Sequence, residues 1–244
     1  MNPVDPTLPA VPVPVAAAKV PQHLGVILDG NRRWAQDQQL PPQEIYRAGA
    51  AKVPKFLSWC EQASVPVVSL WALSRDNLQR DPQEVLPLLD VIVETLQDMS
   101  AQHPWRLRII GRLEMLPDTV ASRLHEVQEA TSGALGLVAN IAIAYDGRAD
   151  IATAARQLLA LGLPAHCDID VLERLLAERL STAGLPDLDL LIRTSGELRT
   201  SGFLLWQTAQ AELYFTATPW PEIQESNLLQ ALAAYRERHR RYGK

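Results

Sequence analysis

The sequence predicts a parallel α/β fold, and three observations predict it. Short apolar runs recur at 23–28, 65–73, 107–110, 137–145, 188–193 and 211–215. Most are apolar throughout rather than alternating, as strands covered on both faces are. Stretches of helical periodicity separate them. The expected architecture is a mostly parallel sheet of about six strands flanked by helices.

Each element follows from its residues. The run 23–28 stops abruptly at Asp29-Gly30-Asn31, a strand followed by a turn. Residues 32–39 have helical composition. In 44–63, Ile45, Ala48, Ala51, Val53, Phe56, Leu57 and Cys60 recur at helical spacing, predicting one helix. Residues 65–73 form the second strand. Residues 82–102 predict a long helix, with Val85, Leu88, Leu89, Ile92, Val93, Leu96 and Met99 on or near one face. The third strand, 107–110, precedes a helix over 113–132. The fourth, 137–145, precedes helices at 148–162 and 169–181. The fifth is 188–193, the sixth is 211–215, and a helix at 222–240 closes the chain.

Composition narrows the function classes. The 244 residues carry 23 basic and 28 acidic side chains, a net charge of −5, with 47% hydrophobic residues. Such a chain folds rather than staying disordered. Its mild acidity disfavours nucleic-acid binding. Cys60 and Cys167 lie far apart, which excludes a disulfide scaffold and fits a reducing, cytoplasmic location. No apolar run reaches the length of a membrane span. Residues 1–21 contain Pro3, Pro6, Pro9, Pro12, Pro14 and Pro21, and read as a flexible tail before a single domain over 22–244.

In a parallel sheet, ligands bind beyond the carboxyl ends of the strands. After the first strand come Asp29, Gly30, Asn31, Arg32, Arg33 and Trp34. After the second come Ser74, Arg75, Asp76, Asn77 and Arg80; after the fifth come Arg193, Thr194, Ser195, Gly196, Glu197, Arg199, Thr200 and Ser201. Glu212 lies close to the last strand. Arginines grip phosphate bidentately, and carboxylates such as Asp29 and Glu212 suit Mg²⁺. Asp-Gly-Asn alone is an ordinary turn, and Ser74 to Asn77 alone is an ordinary helix cap. Three such loops on one rim point to phosphate chemistry with a divalent cation. The chain has no Walker or GxGxxG motif, so a nucleotide is not the first expectation.

These residues resemble the motifs of the cis-prenyltransferases, the family of undecaprenyl diphosphate synthase and (Z)-farnesyl diphosphate synthase. Residues 23–35 (HLGVILDGNRRWA) resemble its opening motif, and 74–80 (SRDNLQR) its second. Residues 191–199 (LIRTSGELR), 203–207 (FLLWQ) and 211–215 (AELYF) resemble its last blocks. Arg241-Tyr242-Gly243 resembles its carboxyl-terminal Arg-x-Gly. The match runs from about residue 22 to the end.

The resemblance implies condensation of an allylic diphosphate with isopentenyl diphosphate, forming a cis double bond. Asp29 would hold Mg²⁺, with Glu212 sharing the metal. The amides of Gly30, Asn31, Arg32 and Arg33 would cradle the allylic diphosphate, and Trp34 would flank its chain. Arg193, Arg199, Thr200 and Ser201 would bind isopentenyl diphosphate. Asn77, with Ser74, would assist proton removal, and Arg80 would support the allylic site. Arg241 and Gly243 would reach across a homodimer. The apolar face of helix 82–102 and the strand beside it would wall a tunnel, and a long product would bring the enzyme into contact with a bilayer.

Some positions depart from the long-chain pattern: Arg32 for Gly, Pro42 for Arg, Tyr46 for His and Leu78 for Trp. Arg32, Tyr46 and Leu78 are similar to the short-chain (Z)-farnesyl branch, which makes a short product the leading expectation. Asp76 and Asp146 fit neither branch. Ala72 is small and favours a deeper tunnel unless Trp71 points inward. A long-chain synthase, an irregular prenyl coupling enzyme and a non-catalytic partner subunit are the alternatives.

Overall fold

The computed structural model describes residues 19–40, 42–164 and 166–238. The segment 1–18 and the pair Arg241 and Gly243 therefore lie outside the described residues. Six strands form one sheet: β1 (His23–Ile27), β2 (Val67–Trp71), β3 (Arg106–Ile110), β4 (Val138–Ala142), β5 (Leu190–Arg193) and β6 (Glu212–Phe215), in the order β3-β4-β2-β1-β5-β6. Every pairing is parallel. The expected fold class is therefore the observed one. The chain builds outward from β1 in one direction and later in the other. The loops after β1 and β5 diverge there and open a crevice.

The helices are α1 (Asn31–Asp37), α2 (Pro42–Ala50), α3 (Lys52–Gln62), α4 (Pro82–Gln102), α5 (Asp118–Ala130), α6 (Gly147–Leu159), α7 (Ile169–Ala177) and α8 (Glu225–Glu237). The single helix expected over 44–63 is two. Pro54 has no N–H to donate to Ala50, so α2 ends at that residue and α3 restarts at Lys52, with Ala51 as its N-cap. The helix expected from 113 likewise begins at Asp118. Pro117 is its N-cap, and only a 3₁₀ turn occupies Leu113–Met115.

Strand alternation sends Leu24, Val26, Val68, Leu70, Ile141 and Ile192 into the larger core with α4, α5 and α8. Ile27, Trp71, Ala142 and Leu191 pack on the opposite face around Phe203 and Tyr145.

Candidate active site

At the crevice, the end of β1 is strapped to the end of β5. Ile27 pairs in register with Arg193. Beyond them, the Thr194 hydroxyl accepts the Asp29 N–H at 2.8 Å and donates to the Asp29 carbonyl at 2.7 Å. The Trp220 N–H holds the same carbonyl at 2.9 Å. Asp29 is thus fixed on three sides by backbone-directed bonds. Its carboxylate takes the Arg193 guanidinium at 2.7 Å through Oδ2 and the Gly30 N–H at 2.7 Å through Oδ1.

Arg193 is the more deeply set partner, with its side chain 5% exposed against 31% for Asp29. The other arm of its guanidinium donates to the Arg199 carbonyl and the Ser201 hydroxyl, both at 2.7 Å. A guanidinium so held is a fixed positive charge.

Gly30 has φ +100, and a Cβ there would stand 2.8 Å from the Ser195 side chain and 2.9 Å from Pro219. Only glycine lets the loop close this tightly before α1. The Gly30 N–H, expected in the anion cradle, is bonded to the Asp29 carboxylate in this structure, and Gly30 lines the cavity. The amides of Asn31, Arg32 and Arg33 head α1, where N–H groups have no intrahelical acceptor.

The second loop is also stitched together. The Ser74 hydroxyl accepts the Asn77 N–H at 3.1 Å, and Asn77 Oδ1 accepts the Ser74 N–H at 3.3 Å. Asp146, unexplained by the sequence, has a structural account. It accepts the Ala149 N–H at 2.8 Å as the N-cap of α6 and pairs with Arg75 at 3.1 Å.

These groups open into one cavity of about 450 Å³. Asp29, Gly30, Asn31, Arg32, Arg33, Tyr46, Ser74, Asn77, Arg80, Arg193, Arg199 and Ser201 all line it. Its deep end is apolar. Leu88, Val91, Ile92, Thr95 and Leu96 face it from α4 at spacings of three, four, seven and eight residues, one stripe of a helix. Thr95 spends its hydroxyl on the Val91 carbonyl at 2.7 Å, so the stripe presents little polarity. Val85, Leu89, Val93 and Met99 do not line the cavity and belong to the core. Ala72 lines the cavity and packs with the α4 side. Trp71 also lines the cavity, while its ring stacks on Phe203 with centroids 5.2 Å apart.

Some expected site residues stand elsewhere. Glu212 is the first residue of β6 and pairs with Leu190, whereas Phe215 pairs with Arg193. Three strand steps, about 10 Å, separate it from the rim. Its carboxylate accepts from Arg238 at 2.7 Å, so within this chain it does not join Asp29. Trp34 does not line the cavity; its indole N–H is turned to Glu222 at 2.9 Å. Asp76 points to solvent beside Arg75. Leu78 packs against the core, and Thr200 is not on the cavity wall.

Of two further carboxylates, Glu84 was missed and Glu197 was named on its loop without a role. Glu84 accepts from the Tyr46 hydroxyl at 2.5 Å and from Arg80 at 3.2 Å, with Arg32 at 4.0 Å. Burial, then this bond, pushes the Tyr46 phenol up to about 12, so it stays a donor at neutral pH. The Arg80–Glu84 spacing of four residues was the available signal. Glu197 pairs with Arg33 at 3.3 Å and with Arg199. Arg199 is a neighbour in sequence, and only the fold brings Arg33 to Glu197.

Among the described residues no group of three or more His, Cys, Asp or Glu side chains stands ready for a metal. Asp29 fits a cation that arrives with phosphate oxygens, since Mg²⁺ uses one or two carboxylates and completes its shell with phosphate and water.

A sequence profile described as "Putative undecaprenyl diphosphate synthase" matches residues 27–243. Isoprenyl transferase 1 of Streptomyces avermitilis is 43% identical over 232 residues, covering 92% of this chain and 90% of that protein. The (2Z,6E)-farnesyl diphosphate synthase of Mycolicibacterium smegmatis is 42% identical over 235 residues, covering 93% and 89%. The crystal structure of lavandulyl diphosphate synthase from Lavandula x intermedia, in complex with dimethylallyl diphosphate, superposes with a TM-score of 0.85. It is 32% identical, covering 92% of this chain and 98% of that one.

Proposed function

The chain belongs to the undecaprenyl diphosphate synthase family of cis-prenyltransferases, and from that premise we propose that it condenses isopentenyl diphosphate with an allylic diphosphate to a short (Z)-prenyl diphosphate. One observation carries the reading. A single cavity joins a cationic rim, centred on the Asp29–Arg193 pair, to an apolar stripe of α4. Its ligand must have a charged head and a hydrocarbon tail.

The residues divide the work. The amides at the start of α1 and Arg33 bind the allylic diphosphate, with Arg80 and Arg32 nearby. Arg193, Arg199 and Ser201 bind the isopentenyl diphosphate. Asp29 would hold Mg²⁺, which supplies charge neutralisation at the departing diphosphate. Loss of that group leaves an allylic cation, and the apolar stripe keeps water from it. Ser74 and Asn77 stand on the wall between rim and tunnel, where the proton of the new bond leaves. In this reading the enzyme is a cytoplasmic homodimer to which Arg241 and Gly243 contribute, with peripheral membrane contact only for long products. No helix among the described residues is long and apolar enough to cross a membrane.

The short product is supported by Arg32, Tyr46 and Leu78, by the similar farnesyl diphosphate synthase, and by a cavity of small-ligand size. Product analysis tests it, using purified protein, Mg²⁺, labelled isopentenyl diphosphate and dimethylallyl, geranyl or farnesyl diphosphate in turn. A single (Z)-farnesyl product is expected. A ladder of long polyprenyl products would establish the long-chain synthase. No incorporation with any primer would leave irregular coupling or a partner subunit.

A further inference from the structure

Glu197 occupies an unusual position between two half-sites. Its carboxylate takes Arg33 through Oε1 at 3.3 Å and Arg199 through Oε2. The preceding Ser195 and Gly196 both have left-handed backbone, φ +73 and +77, which folds the loop back over the rim. Their N–H groups fasten it to the Thr218 and Thr216 carbonyls at 2.9 and 2.8 Å. Arg33 and Arg199 are 57% and 60% exposed at the side chain, while Glu197 is 30% exposed. Among the described residues its carboxylate makes polar contact with these two guanidiniums alone.

Two roles are open to such a carboxylate. It could hold the arginines ready for substrate, or hold them in place of substrate. Exposed pairs on long side chains are weak and position poorly. Arg193 shows what positioning requires here: a 5% exposed side chain and three bonds at 2.7 Å. Arg33 also donates to the Ser195 hydroxyl at 2.8 Å and the Ser195 carbonyl at 3.4 Å, but its side chain stays 57% exposed, and Arg199, 60% exposed, is less confined still. A diphosphate carries more charge than a carboxylate and matches the guanidinium fork as well. A bound diphosphate would therefore displace Glu197 from both cations and leave an unpaired carboxylate beside it.

We propose that Glu197 is a resident competitor for the arginines of both diphosphate subsites, lowering diphosphate affinity and favouring release of the pyrophosphate product. The proposal rests on the reading above that Arg33 and Arg199 each serve a diphosphate. Glu84 repeats the arrangement across the rim with Arg80 and Arg32, but it also anchors Tyr46. Glu197 is therefore the cleaner residue to change.

The test is calorimetric titration of inorganic pyrophosphate, with Mg²⁺ present, into the parent protein and Glu197→Gln. The variant is expected to bind about three- to tenfold more tightly, as loss of one or two weak competing pairs implies. The Michaelis constant for isopentenyl diphosphate should fall in parallel. Glu197→Asp keeps the charge and is expected to stay within about twofold of the parent. Unchanged or weaker binding by Glu197→Gln would overturn the proposal and make Glu197 a positioning residue. Equal tightening in both variants would assign the effect to loop shape and also overturn it. If the parent binds no pyrophosphate, the diphosphate reading of the rim fails instead.

Discussion

The two ends of the sheet use similar polar side chains to opposite effect. Toward the amino end, His23, the first residue of β1, reaches Ser69 and Asn140 at the middle of β2 and β4, and all three are fully buried. His23 Nδ1 stands 2.7 Å from the Pro186 carbonyl and donates to it. Nε2 then accepts from the Ser69 hydroxyl at 2.7 Å, and that hydroxyl accepts from Asn140 at 2.9 Å. This chain is neutral and sealed. Burial lowers the His23 pKa, offset in part by the Pro186 bond and by Asp189, with Arg108 lowering it further. At the carboxyl end, Asp29 and Arg193 form an ion pair that faces an open cavity. Polar residues at a strand end therefore announce function only where access and charge accompany them. Sealed and neutral, the same residue types hold strands together.

The contrast can be broken by substitution at either end. Asp29→Asn keeps an acceptor for the Gly30 N–H but loses the charge. Turnover should fall by about 10²-fold or more, the scale of losing a preorganised electrostatic group, with the fold retained. Steady-state kinetics with a circular dichroism melt checks this; near-normal kcat would remove Asp29 from the mechanism. Next is Arg193→Ala. It should raise the KM for isopentenyl diphosphate by an amount equivalent to about 1.5–3 kcal/mol, for charged hydrogen bonds lost. An unchanged KM and kcat would refute that assignment.

At the sealed end the signs reverse. Ser69→Ala strands two buried partners and should destabilise the fold by about 1–3 kcal/mol in denaturant titration. Its kcat/KM at a permissive temperature should match the parent; a matching loss of activity would merge the two ends into one system. The smallest effect is a slope with pH. Folded His23 binds its proton less readily than the unfolded chain, whose histidine titrates near 6.5. This contribution is complete above that value and is lost as pH falls below it, toward the lower folded pKa. The melting temperature of the parent should thus drop faster on acidification than that of His23→Gln. Parallel curves would show that the ring stays out of the titration.

Much of this was legible in the sequence because it is local. A run's apolar character marks it as a strand, its last residue marks the rim, and the loop that follows carries its motif. Asp29, Asn77 and Arg193 could be placed on one rim in this way. Helix 82–102 resisted. Its apolar positions all looked alike until packing assigned Leu88, Ile92 and Leu96 to the cavity and Val85, Leu89 and Val93 to the core. The sequence placed Glu212 on the rim because it lies beside a strand, whereas it begins β6 and stands at the other end of that strand.

By itself the sequence determined the parallel sheet, the loops that bear chemistry and the family to which they belong, since periodicity and motif order are properties of neighbouring residues. The tertiary structure decided the rest. Strand register put Ile27 beside Arg193 and so joined Asp29 to its buried cation. Alternation across the sheet packed Trp71 with the Phe203 cluster and Ala72 with the larger core beside α4. The left-handed turn at Ser195 and Gly196 carried Glu197 between Arg33 and Arg199. The pairings of Ile27 with Arg193 and of Arg33 with Glu197 join residues more than a hundred positions apart, whose separation only the folded chain closes.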